Sequence, residues 1–396
     1  MRFAATFGVL WALGLSGRAY GLQLTRGPYL GWPDDRSVSI SWSTDTPSTS
    51  RVDCLAPDGT RLSVFDAAPV QKHVVSFPSL APGAVYCYSV LSDDQVLVDG
   101  LCFRAPRAPL EEGFRFAVVG DTDGGTIPAL IASRLVLEEP DLVIHTGDVV
   151  YPQGAEAGYD EQFFGPFAPW LARGPVLPAI GNHDAETDRA GPLLANFVLP
   201  VNGVTPDSRF YAFRQGSVLF VCLDDETSAY GKGSPQFEWL VQTLSASEAL
   251  WKVVYFHEPP FSSDHSNVEE RVVLSPVFEQ FGVDVVFTGH AHLYERTRPI
   301  RLYAASGPGV LYVTEGGGGA SLSSVHRIPE SAFVSACFGY LIVDVDGRTL
   351  SMTAHEVDGT VFDSVILEKL DDPGASRPKP RPSRSRPSAS VAKDPS

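Results

Sequence analysis

Phe116-Ala117-Val118-Val119 is an apolar run that stops at Gly120-Asp121-Thr122-Asp123, and its reading decides the fold of most of the chain. Four apolar residues ending in a Gly-Asp turn read as a buried strand with a loop at its carboxyl end. The arrangement recurs downstream. Leu142–His145 leads into Gly147-Asp148-Val149-Val150-Tyr151, and Val176–Ile180 into Gly181-Asn182-His183-Asp184. Val253–Phe256 leads into His257-Glu258-Pro259, and Val285–Thr288 into Gly289-His290-Ala291-His292. Val218–Leu223 is a further apolar strand, and Ile127–Glu138, Gln236–Leu244 and Val268–Phe281 carry helical spacing. This alternation predicts an α/β domain whose sheet is covered by helices. In such sheets the loops at the strands' carboxyl ends converge, so the five polar clusters can meet at one edge. Alternating strands return at Phe338–Val345 and Val361–Leu367 and are expected to complete a second sheet.

Upstream the pattern is different. Residues 22–106 hold short alternating runs such as Ser37–Trp42 and Ala84–Val90, separated by turn signals at Pro57-Asp58-Gly59 and Ala81-Pro82-Gly83. About seven short strands in this length predict a small β-sandwich. No catalytic cluster lies in it, so its expected role is to pack against the α/β domain. Residues 1–21 read as a signal peptide: Arg2, an apolar stretch from Phe3 to Leu15, then small residues at Ala19-Tyr20-Gly21. No later stretch is long and apolar enough to span a bilayer, so a secreted or periplasmic protein without stable membrane insertion is expected. Residues 371–396 are rich in Pro, Ser, Arg and Lys, and a disordered tail is expected there.

Of the 396 residues, 44% are hydrophobic and 19% charged, an ordinary globular balance. The net charge of −17 excludes nucleic acid as a bulk partner, because a phosphate backbone wants a basic face. It does not exclude a small phosphate ester bound at metals. Five cysteines are too few for a disulfide-built fold. One bridge among Cys54, Cys87 and Cys102 is expected, with the pair left open, and Cys222 reads as a buried thiol.

The five clusters supply carboxylates, imidazoles, an amide oxygen and a phenol, with no thiolate. That set suits hard or borderline metals rather than a structural zinc cage. A Gly-Asp pair alone is more often a turn or a cap. All five clusters in order, each after a strand, are not an accident of composition. Other candidates read as structural. His145 belongs inside its strand; His73, His326 and His355 are structural or exposed; Phe237 and Trp239 are core. Glu295 and Arg296 read as a buried ion pair supporting the histidine loop. Gly316-Gly317-Gly318-Gly319 reads as a flexible turn, since no helix with a Lys-Ser/Thr follows it as a nucleotide loop would require.

With these residues in view, the chain from about 22 to 369 resembles the purple acid phosphatases, a branch of the calcineurin-like metallophosphoesterases. Tyr294-Glu295-Arg296 after the paired histidines and Phe338-Gly339-Tyr340 add to the likeness. The resemblance implies a two-sheet α/β (α+β) sandwich flanked by helices over 113–370, preceded by a fibronectin type III-like sandwich over 22–106. It implies two metal ions: Asp121, Tyr151 and His292 at the first, Asn182, His257 and His290 at the second, and Asp148 bridging. Tyr151 implies Fe(III) at the first site, with Fe(II), Zn(II) or Mn(II) at the second. The purple branch usually has glycine where Asp123 stands; here glycine follows at Gly124. By the same resemblance His183 binds the phosphoryl group and protonates the leaving alkoxide, and His265 contacts substrate. The implied activity is hydrolysis of small phosphate monoesters by a metal-activated hydroxide. A phosphodiesterase or nucleotidase on the same metals, and a non-catalytic exported binding protein, are the alternatives.

Overall fold

The computed structural model describes residues 21–370 apart from 33 and 110–112. The expected signal peptide, but for its last residue, and the expected tail lie outside the described residues. No helix among the described residues is long and apolar enough to cross a membrane.

The amino-terminal part is all β. Strands Leu24–Gly31, Val38–Leu55, Arg61–Phe77, Val85–Ser92 and Gln95–Arg104 form one continuous sheet. There are five strands rather than about seven, because two of them are long. Val38–Leu55 pairs with Leu24–Gly31 through its first half and with Val85–Ser92 through its second. The register slips between the halves, at Ser43 to Ser48. Trp42 Nε1 donates to Ser92 Oγ across the interior, among Trp32, Val52 and Tyr88. Cys87 and Cys102 face each other on neighbouring strands and are bonded, while Cys54 is a buried free thiol.

The remaining described residues fold as two large sheets face to face with helices outside, beside a two-stranded ribbon of Ile300–Arg301 and Ala304–Ala305. One sheet runs, in spatial order, Val361–Glu368, Thr349–Glu356, Gly339–Asp346, Phe114–Val119, Leu142–His145 and Val176–Pro178. The other runs Ser331–Ser335, Tyr294–Thr297, Leu311–Glu315, Val285–Thr288, Trp251–Tyr255, Val218–Cys222 and Tyr211–Gln215. In the second sheet parallel pairing holds the centre and antiparallel strands close both edges; in the first, Phe114–Val119, Leu142–His145 and Val176–Pro178 are parallel out to one edge and the other half is antiparallel. The parallel strands are buried on both faces, which is why they read as unbroken apolar runs. Phe116 packs between the sheets, with ring centroids 5.0 Å from Phe220 and 6.2 Å from Phe287. The stretch Val268–Phe281 is two helices, Val268–Val273 and Ser275–Gln280. Pro276 has no N–H to continue the first helix and stands at the start of the second.

Candidate metal centre

Each polar cluster begins after the end of one of the parallel strands. Asp121 follows Phe114–Val119 and Asp148 follows Leu142–His145. Asn182 opens the helix Asn182–Glu186, His257 follows Trp251–Tyr255, and His290 and His292 follow Val285–Thr288. Asp121, Asp148 and His290 adopt left-handed backbone, at φ 58°, 56° and 63°. Non-glycine residues seldom hold that conformation, and it turns three chains sharply enough to aim their side chains at one point.

At that point Asn182 Oδ1 lies 3.0 Å from both His257 Nε2 and His290 Nδ1, and these two nitrogens are 3.2 Å apart. Asp148 Oδ2 is 3.5 Å from His257 Nε2. On the other side His292 Nε2 is 3.5 Å from Asp121 Oδ1 and 3.2 Å from the Tyr151 hydroxyl. Single ligand atoms of Asp121, Asp148 and His257, all buried, lie within 4.8 Å of one another. The structure therefore brings together all seven side chains singled out as metal ligands.

The surrounding backbone sets which nitrogen faces inward. His257 donates Nδ1–H to the Thr146 carbonyl at 2.9 Å, and His292 donates Nδ1–H to the Ser321 carbonyl at 2.8 Å. In each ring Nε2 therefore faces the carboxylates, and a cation bound there would take the place of its proton, the orientation a metal-ligating histidine needs. The hard oxygen and nitrogen donors, with no thiolate, fit a divalent or trivalent cation.

Electrostatics favour a cation as well. Burial, Asp121 and Asp148 all push the Tyr151 phenol up, so a positive charge is needed to ionise it. Burial pushes the Asp121 carboxyl up against the pull of His292 and His257. Burial would raise Asp148 too, but His257 outweighs it and holds the carboxyl below its ordinary range. Burial and the neighbouring His257 push His290 down to about 3. Burial lowers His292, yet Asp121 raises it to about 9.

The other candidates fall around this core. His183 is partly exposed; its Nδ1 bonds the Pro152 carbonyl, its ring lies 4.3 Å from Tyr151, and Nε2 is 3.9 Å from Asp148 Oδ2. His265 is exposed, with its ring 5.1 Å from that of His290. Asp123 is exposed, within electrostatic reach of His183 and His292. His145 is fully buried and bonded to Thr122 Oγ1. His73 and His355 are buried, His326 is exposed, and Trp239 and Phe237 join the second core cluster.

Two expectations need correction. Glu295 and Arg296 do not pair. They are adjacent in strand Tyr294–Thr297, and successive side chains of a strand point to opposite faces. Arg296 forks onto Asp363, at 2.7 and 3.0 Å, while Glu295 accepts from Ser262 Oγ, the Ser263 amide and Ser331 Oγ. Nor is the glycine run a loose turn. Gly318 N donates to the Gly120 carbonyl and Ala320 N to the Asp121 carbonyl, each at 2.9 Å.

Sequence reading also missed Asp184, which is fully buried. Its carboxylate accepts from the amides of Val149, Val150 and Gly181, tying the Asp148 loop to the Asn182 loop. Its place in Gly181-Asn182-His183-Asp184 was the available signal.

Residues 114–294 match the family model described as calcineurin-like phosphoesterase. A purple acid phosphatase of Glycine max is 31% identical over 212 residues, 45% of this chain and 45% of its own length. A Hordeum vulgare protein described as a nucleotide pyrophosphatase/phosphodiesterase is 26% identical over 322 residues, 67% of this chain and 86% of its own length. The chain spans about half the length of the first curated relatives it matches. The fold is that of the purple acid phosphatase from yellow lupin (Lupinus luteus) seeds, with TM-score 0.77 and 19% identity, covering 86% of this chain and 74% of that one. Residues 114–294 therefore form a calcineurin-like phosphoesterase domain, and the chain's relatives in sequence and in fold include purple acid phosphatases.

Proposed function

We propose that the chain is an exported acid phosphatase-like enzyme that hydrolyses small phosphate monoesters at a binuclear metal centre. The observation that carries this reading is the convergence of Asn182, His257 and His290 on one side of Asp148, and of Asp121, Tyr151 and His292 on the other. Each group would hold one ion, Fe(III) beside the phenolate of Tyr151 and Fe(II), Zn(II) or Mn(II) in the second, with Asp148 shared. Bound ions of this kind supply Lewis-acid activation of water and neutralise charge on the phosphoryl oxygens.

The chain's own groups do the rest. His183 is partly exposed and carries Nε2 beside Asp148, at 3.9 Å, because Nδ1 donates to the Pro152 carbonyl. In the protonated state that nitrogen donates to a phosphoryl oxygen and delivers a proton to the departing alkoxide. His265, beside His290, contacts the substrate from the other flank. Asp184 holds the loops of Asp148 and Asn182 at fixed separation, so the ligands are set before substrate arrives. The barley relative's description favours a second reading, a diesterase or pyrophosphatase on the same ligands.

Metal analysis and a visible spectrum of the purified protein, with turnover of aryl phosphate mono- and diesters, test the proposal. Two metal equivalents, a tyrosinate–ferric absorption lost in Tyr151→Phe, and faster monoester turnover are expected. A colourless active enzyme holding only divalent ions would remove the ferric assignment. Faster diester turnover would select the second reading. Two bound ions with no hydrolysis at any pH would leave a binding protein.

A further inference from the structure

His265 stands on a bent stretch of backbone. It is not glycine, yet it adopts the left-handed conformation, at φ 51°. Such residues keep that conformation where their surroundings impose it. The side chain is exposed, Nε2 is 3.4 Å from Asp264 Oδ1, and the ring is 5.1 Å from that of His290. The loop over 258–267 that carries it is pinned at both ends. At its root Asp225 accepts from the amides of His257 and Glu258, at 3.2 and 2.7 Å. Toward the helix Val268–Val273, Arg271 donates to the Pro260 carbonyl at 2.7 Å and lies 4.7 Å over the ring of Phe261.

Between these ends the bend is held by Glu295, which is only 1% exposed. Its Oε2 accepts from Ser262 Oγ at 3.1 Å and from the Ser263 amide at 2.6 Å. Ser262 Oγ accepts in turn from the amide of Asp264, the residue before His265, at 3.2 Å. A relay of hydrogen bonds thus runs from the strand Tyr294–Thr297 to the foot of the bend. Ser331 Oγ donates to Glu295 Oε1 and fixes the carboxylate from its other side. These donors are neutral, and Arg296 turns away to Asp363. Burying a carboxylate is costly, and an apolar side chain would fill the strand position without that cost. What the carboxylate adds is short, directional bonds to the loop. Glu295 also follows His290 and His292 along one stretch of chain, so the same segment that carries two candidate ligands sets the loop bearing His265.

We propose that Glu295 is a positioning residue for His265: through Ser262 and Ser263 it fixes the loop so that the imidazole meets the substrate beside His290. This rests on the phosphoesterase reading above, in which His265 contacts substrate, and names what sets its place. The test is a double-mutant cycle of Glu295→Leu with His265→Ala in the metal-loaded protein, with p-nitrophenyl phosphate kinetics and hydrogen exchange of segment 258–267. Glu295→Leu is expected to raise KM about tenfold, with kcat within about twofold, metal content unchanged and faster exchange of the segment. In the His265→Ala background the same substitution should raise KM no further, because its effect passes through that imidazole. Glu295→Gln keeps an acceptor for Ser262 and Ser263 and should hold KM within about twofold of the unmodified enzyme. An unchanged KM in Glu295→Leu, or the same rise with and without His265, would overturn the assignment. So would loss of a metal equivalent, since Glu295 would then support the ligands rather than His265. Should Glu295→Leu fail to fold, Ser262→Ala, which breaks the relay and leaves the strand intact, decides by the same cycle. If the unmodified enzyme turns over no phosphate ester, the hydrolase reading fails separately. Hydrogen exchange then decides the anchor, and a segment that exchanges no faster in the variants would dispose of it.

Discussion

His183 is the side chain on which the proposed chemistry turns most directly. It borders the cluster without being enclosed by it, which suits a proton donor to substrate better than a ligand. His183→Ala is expected to lower kcat about 100-fold with metal content unchanged, as removal of a general acid does. Plasma emission analysis beside steady-state kinetics checks it, and metal loss in the variant would make His183 a ligand or a support instead. The residues converging here were legible as an ordered set, five polar clusters each after an apolar strand, and their assignment as ligands came from the family resemblance. Asp184 and Glu295 were not. Their roles lie in backbone amides and hydroxyls donated by distant loops, and neither partner is visible from local spacing. Adjacent charges at Glu295 and Arg296 suggested a pair that strand geometry forbids.

Among the loops and strands, the glycine run is the clearest case of packing constraining composition. A Cβ on Gly318 would stand 2.1 Å from the Gly120 carbonyl oxygen, backbone against backbone with no flexible end to yield. Gly318→Ala is therefore expected to push the Asp121 loop outward, costing about 2 kcal/mol of stability and weakening metal retention. Thermal unfolding with and without chelator measures both effects. An unchanged melting temperature and full metal content would show that the loop yields freely. The strands that lead into the polar clusters were foreseen to within a few residues, because burial on both faces leaves an unbroken apolar signature; central Leu311–Glu315 was not foreseen. The split of Val268–Phe281 and the two long strands of the amino-terminal sheet were less visible. Apolar spacing continues through Pro276, and a strand that changes partners halfway looks like two strands.

Across the molecule, the amino-terminal sheet is locked to the metal-centre half by Arg26. Its side chain is buried, stacks 4.3 Å over Phe164, and bonds Asp160 and Asn196 from the other half. Tyr88 adds a hydrogen bond to the Ala172 carbonyl at 2.9 Å. Arg26→Ala is expected to cost about 3 kcal/mol, since it removes a buried charge and strands its partners. Denaturant unfolding should show this as a lower midpoint or a separate early transition of the amino-terminal sheet. An unaltered curve would mean that apolar contact alone joins the halves. Periodicity and turn chemistry were enough to foresee an all-β segment, a layered α/β segment and the strand ends bearing polar groups, since these depend on neighbours a few positions apart. Folding in three dimensions settled the rest: which cysteines pair, which imidazole nitrogen faces inward, and which carboxylate ties one loop to another. Those outcomes depend on contacts between segments 15 to 111 residues apart, whose distances and burial no local pattern encodes.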